Sequence, residues 1–120
     1  MNLSLGGGMQ TPLRSEILEQ VVSTIVGARS LVDAVQRKDR DLASQIRRAL
    51  TSIGLNTAEA FGSTGGNGRL RFETARGSLY EAHAGLRIAI AWGFFTQHEA
   101  EPTLTALDRL GKRLYGLVRR

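Results

Sequence analysis

Apolar residues recur at three- and four-residue steps along most of the chain, the spacing of one face of an α-helix. Leu13, Ile17, Val21, Thr24, Ala28, Leu31, Val32 and Val35 form the first such stripe. Thr11 and Pro12 stand before it as an N-cap and a first-turn proline, so a long helix is predicted from there. The charged run Arg37, Lys38, Asp39, Arg40 reads as a short connection, with Asp39 capping the next helix. A second helix is predicted over about 40–61, where Leu42, Ile46, Ala49, Ile53, Asn56 and Ala60 fall within about 40° of one line. Residues 62–68 hold four glycines and read as a flexible loop.

A third helix is predicted over about 69–94, with Phe72, Ala75, Leu79, Ala82, Leu86 and Ile90 as its main stripe. Its opposite side is not polar. Gly77, Gly85, Ile88 and Trp92 fall there, with Ser78 and Glu81 among them. A helix apolar on both sides is buried on both sides, and in so small a chain the second partner is expected to be another subunit. Glu101 and Pro102 mark the entry to the last helix, to within about a turn. Leu104, Leu107, Leu110, Gly111, Leu114 and Val118 are its stripe. Four helices with short connections and no strand alternation predict an all-α, antiparallel up-and-down four-helix bundle. Residues 11–120 would form that single domain, and residues 1–10, with their triple glycine, a flexible extension.

Composition narrows the chemistry. A chain of 120 residues can bury one hydrophobic core without covalent staples. The absence of cysteine excludes disulfides, a thiol nucleophile and thiolate-bound metal, and two histidines are too few for a histidine-rich metal site. The most apolar stretch, 84–95, contains Arg87 and is too short for a membrane span of about 20 residues. Residues 1–10 lack a basic segment followed by a long apolar run, so no secretory signal is expected and the expected location is the cytoplasm. Met9 is an alternative start to Met1.

The net charge is +5, and fourteen of the sixteen basic residues are arginine. The planar fork of arginine suits phosphate, so RNA or DNA is one expected partner, with a merely soluble basic surface as the alternative. Arg109, Lys112, Arg113, Arg119 and Arg120 crowd an acid-free terminal stretch, where cations also complement the dipole of a helix C-terminus. Arg47, Arg69 and Arg71 complete the set expected to meet nucleic acid. Arg48 flanks the core stripe and is read as a partner of Glu59 or Glu81. With Ser52, Asn56 and Ser78, these form an expected polar layer that sets helix register, or alternatively line a ligand pocket. Glu81 and His83 are two apart, which is the wrong spacing for a carboxylate-bridged di-iron site, and His83 reads as a core-edge residue. Gly65 to Arg69 lacks phosphate-loop spacing, and no nucleophile–base grouping is visible, so no enzyme, cofactor or metal is expected.

The second helix carries a family pattern. Leu42-Ala43-Ser44-Gln45-Ile46-Arg47-Arg48-Ala49, then Ser52-Ile53, Asn56 and Ala58-Glu59-Ala60-Phe61-Gly62, resembles the signature of a bacterial four-helix bundle family. Some of its members are encoded by intervening sequences of large-subunit ribosomal RNA genes. Phe72, Gly77-Ser78-Leu79-Tyr80-Glu81 and the segment 110–118 continue the likeness in order. Ala60 and Thr57 depart from the usual glycine and isoleucine, and the loop after Gly62 is richer in glycine. The resemblance implies an antiparallel bundle, often a homopentameric ring. It also implies a distant relation to the basic accessory protein of diversity-generating retroelements, which engages a reverse transcriptase and nucleic acid. The expected function is therefore a non-enzymatic oligomeric scaffold with weak, sequence-tolerant nucleic-acid binding. The alternative is a structural oligomer whose partner is a protein such as a reverse transcriptase.

Overall fold

A computed structural model describes residues 12–63 and 66–119. The helices are α1 Pro12–Lys38, α2 Arg40–Phe61, α3 Gly66–Trp92 and α4 Gln97–Val118, with no strand among the described residues. Side-chain pairs fix their directions. Arg14, at the start of α1, lies over the Phe61 ring at the end of α2. Glu59 meets Arg71 and Ser52 meets Ser78, so α2 and α3 run opposite ways. Arg76 meets Tyr115 and His83 meets Asp108, which reverses α4 against α3. Arg113 meets Glu16 and Thr103 meets Gly27, which closes α4 on α1. Neighbours are antiparallel throughout, as in an up-and-down bundle. A 27-residue helix is about 40 Å long at 1.5 Å per residue, close to the 46 Å long axis, so the helices lie along it.

The core is built from the four stripes that the spacing marks out. Ile17, Val35, Ile46, Ile53, Leu86, Leu107, Leu110 and Leu114 are fully buried. Ala28, Ala43, Ala75, Ala82 and Ala89 are buried between them and keep the helices close. Three threonines enter this core without leaving a hydroxyl bare. Thr24 and Thr57 donate to the carbonyls of Gln20 and Ile53 one turn back, and Thr103 donates across to Gly27 at 3.4 Å.

The helix ends show where local chemistry overrules the stripes. The α1–α2 connection is Asp39 alone, whose carboxylate accepts from the Leu42 amide at 3.0 Å. Arg37, Lys38 and Arg40, read as linker, are helical. The glycine-rich segment is shorter than its composition implies, because α3 begins at Gly66. Gly68 is buried there, and a Cβ on it would stand 3.3 Å from the Ala60 carbonyl oxygen. Its glycine serves close helix approach and not flexibility. At the far end α3 stops at Trp92, two residues before the predicted end. Gly93 takes φ +82° and donates to Ile90, while Phe94 donates to Ala89, a Schellman closure. Next, α4 starts a turn before Glu101, at a capping box. Thr96 accepts from the Glu99 amide, and the Glu99 carboxylate accepts from the Thr96 amide. Pro102 then lies inside the helix, where it forfeits one ladder bond. The predicted extension at 1–10 lies outside the described residues.

Candidate nucleic-acid and self-association surfaces

Antiparallel order gathers the starts of α1 and α3 and the ends of α2 and α4 at one end of the bundle. Arginines converge there, and the structure divides the candidate set by what each already holds. Arg71 is committed to Glu59 at 3.0 Å. Arg113 donates to Gln20 at 2.7 Å and to Glu16 at 3.3 Å, which ties α4 to α1. Arg119 lies over the Tyr115 ring at 5.5 Å. Arg109 and Lys112 are exposed and, among the described residues, pair with no carboxylate. Arg69 is exposed beside the α2–α3 connection. Arg120 lies outside the described residues. Arg47 does not join this group. It lines a groove between α1 and α2 with Arg29, Asp33 and Thr51, at the corner diagonal to α3 and α4.

The polar layer is smaller than expected. Ser52 and Ser78 share a hydrogen bond of 2.7 Å across α2 and α3. Asn56 donates its amide to the Ser52 carbonyl and hydroxyl, at 3.0 and 2.9 Å. Glu59, Arg48 and Glu81 are not part of it. Glu59 is taken by Arg71, not Arg48, and Arg48 and Glu81 are exposed. The reason is distance along the helix: Arg48 lies eleven residues before Glu59, about 16 Å along α2, whereas Arg71 stands opposite Glu59 one helix over. The hydrogen bond that crosses helices is Ser52 to Ser78, so the register contact of this layer is that pair. His83, half buried at the α3–α4 edge, meets Asp108 at 3.3 Å. Among the described residues, no three histidines or carboxylates gather as metal ligands.

The outer face of α3 loses two of the expected residues, Ser78, which bonds to Ser52 of α2, and Gly85. Gly85 is buried against α2, and a Cβ there would stand 2.6 Å from Cγ1 of Ile46. It lies about a quarter turn from the core stripe, and so faces the neighbouring helix and not the outside. Gly77 is exposed with nothing within 4 Å of an added Cβ, and Ile88 and Trp92 are 47% and 69% exposed. Leu70, 61% exposed, extends the strip along α3. Sequence reasoning missed Leu55 on α2 and the pair Val22 and Val26 on α1, all more than half exposed. The signal for the pair was apolar residues four apart on the side of α1 away from its stripe. It also missed the pairing of Arg76 with Tyr80 and Tyr115, although Arg76 and Tyr80 are four apart.

Capping supplies the clear electrostatic shift. Hydrogen bonds from the Thr96 backbone, then from its hydroxyl, hold Glu99 below the usual carboxylate range.

A solved structure shares this architecture. It is a protein with unknown function from the S23 ribosomal protein family of Bacteroides thetaiotaomicron VPI-5482, with a TM-score of 0.78. The two are 19% identical over 87% of this chain and 99% of that one, a likeness that shows the fold. No curated protein matches the chain. Residues 21–116 match the family described as 23S rRNA-intervening sequence protein. That match takes in the Gln45–Ala49 motif of α2, the Ser52–Ser78 contact and most of α4, and by it this four-helix bundle belongs to the 23S rRNA-intervening sequence protein family.

Proposed function

We propose that the protein is a non-enzymatic, self-associating helical bundle of the cytoplasm that binds nucleic acid weakly and without sequence preference. The observation that carries this reading is the basic end of the bundle. Arg14, Arg69, Arg71, Lys112, Arg113 and Arg119 lie within about two turns of the helix ends that meet there. Several are held by internal carboxylates, Arg71 by Glu59 and Arg113 by Glu16, with side chains 49% and 34% exposed. Lys112, with Arg109 on the next turn, adds charge with no internal partner among the described residues. The family description, which names an intervening sequence of 23S rRNA, points to the same class of partner. Contacts of this kind hold phosphate and carry no base code.

Self-association is supported by Gly77. A glycine inside a helix costs about 1 kcal/mol against alanine, and nothing in the subunit requires one at this exposed position. A second backbone packed close would require it. The flanking Leu70, Ile88 and Trp92 supply apolar area. The family resemblance suggests a ring of five, which would repeat the basic end and let weak contacts add.

The test is fluorescence anisotropy with labelled RNA and DNA of mixed sequence. Affinity should fall steeply between about 50 and 200 mM salt as counterions are released. Arg109→Glu with Lys112→Glu should weaken all sequences alike. No binding by the wild type at low salt would reduce the charge to a solubility feature. The exposed apolar groups would then favour the second reading, a bundle that docks on another protein such as a reverse transcriptase.

A further inference from the structure

The surface between α3 and α4 forms a groove of about 590 Å³ that no residue of the expected site set but Lys112 lines. Two rows of equal spacing make its walls. Arg76, Tyr80 and His83 stand on α3, and Asp108, Lys112 and Tyr115 on α4. The floor is Leu79 and Leu107, both buried, with Gly111 against Leu79. Tyr80 and Tyr115 are 57% and 47% exposed, so two aromatic faces border one channel. Arg76 lies between them, 5.5 Å from the Tyr80 ring and 4.8 Å from the Tyr115 ring. It donates to the Tyr80 hydroxyl at 2.8 Å, and its Nε is buried with no hydrogen-bond partner among the described residues.

The one acid that lines the groove is engaged: Asp108 meets His83, while Glu73, outside the lining, meets Arg76. Its remaining lining cation is Lys112, and Arg119 stands beside the groove over the Tyr115 ring; neither pairs with a carboxylate among the described residues. Arg119 is the C-cap of α4 and is exposed, so it can leave the Tyr115 ring without disturbing the helix. Exposed aromatic rings beside unpaired cations are the equipment of single-strand binding, where bases stack and the phosphates are neutralised.

We propose that this groove binds a short single-stranded stretch of nucleic acid. Bases stack on Tyr80 and Tyr115, Lys112 and Arg119 hold the phosphates, and Arg76 fixes the rings. The proposal rests on the nucleic-acid reading of the basic end and adds a requirement that reading lacks: the strand is unpaired. A duplex hides the faces of its bases and offers only phosphate. From Leu107 to Tyr115 the channel runs about 12 Å along α4, so two or three nucleotides fill it.

The experiment measures anisotropy of a short labelled oligonucleotide, as a single strand and as the same sequence annealed to its complement, at about 50 mM salt. The single strand should bind more tightly. Tyr80→Leu and Tyr115→Leu should each weaken single-strand binding about 5- to 100-fold while sparing duplex binding. Tyr80→Phe and Tyr115→Phe keep a ring and should retain most of it, which separates stacking from the hydroxyl's bond to Arg76. Lys112→Gln, an exposed change that the core does not feel, should lower the salt slope by about one. Equal binding of strand and duplex, unchanged by loss of either ring, would overturn the groove and leave the basic end standing. No binding of either form would overturn both.

Discussion

Three substitutions in α3 separate core, interface and solvent. Leu79 is buried and seated against Gly111, so Leu79→Ala should cost about 2–5 kcal/mol in denaturant unfolding, because the surrounding helices cannot close the gap. Gly85→Ala should also destabilise, by about 1–3 kcal/mol, since its methyl meets fully buried Ile46 and one helix must shift. Gly77→Ala meets nothing, and in the dissociated subunit it should gain about 0.5–1 kcal/mol from helix propensity. Equal losses at Gly77 and Gly85 would contradict this placement. The stripe residues were legible because burial follows the 3.6-residue period directly. Gly85 was not, because at the flank of a helix the period does not say whether a neighbouring helix or water is met. Arg48 and Glu59 failed for another reason: they share a helix face but stand three turns apart, about 16 Å, and only the α2–α3 pairing shows that Arg71 is the partner.

Among the elements, α2 was legible at both ends, and α4 at its C-terminal end, where stripe and helix both stop at Val118, but not at its start. For α2, Asp39 and Gly62 stand as N-cap and C-cap at the ends of an amphipathic stripe. In α4, the proline drew the boundary, although Thr96 and Glu99 already form the S/T-x-x-E pattern that starts a helix. Proline is tolerated in the second turn here because the cap fixes the first. Thr96→Ala should therefore lower stability by about 0.5–2 kcal/mol, read as a shift in denaturation midpoint. Glu99 gives this cap a pH signature. Its pKa is depressed in the folded chain, so its contribution is complete above the ordinary glutamate pKa and lost as pH falls through the depressed value. Glu99→Gln should remove that acid-side component, so stability falls less steeply as pH drops below the ordinary glutamate range. A variant with an unchanged acid limb would contradict the cap's role.

At the scale of the molecule, the bundle exposes unlike apolar groups on different helices. Leu70, Gly77, Ile88 and Trp92 lie along α3, and Val22 and Val26 lie one turn apart on α1. Different surfaces that fit each other make a head-to-tail contact, which closes into a ring when the rotation allows. Trp92→Glu and Val26→Glu should therefore each dissociate the assembly while circular dichroism keeps its helical signal. If Trp92→Glu alone dissociates it, the α3 strip pairs with itself and the contact is two-fold. The basic set divided at this scale too. Arg47 went to the opposite corner, because a charge count along the chain carries no information on which helices share an edge.

Sedimentation velocity of a labelled single-stranded RNA mixed with the protein tests association and binding together. At about 50 mM salt the label should sediment with a species several times 13.1 kDa, and at about 200 mM it should be largely free. A protein that sediments as a 13.1 kDa monomer, or a label that stays free at the lower salt, would contradict a self-associating nucleic-acid binder.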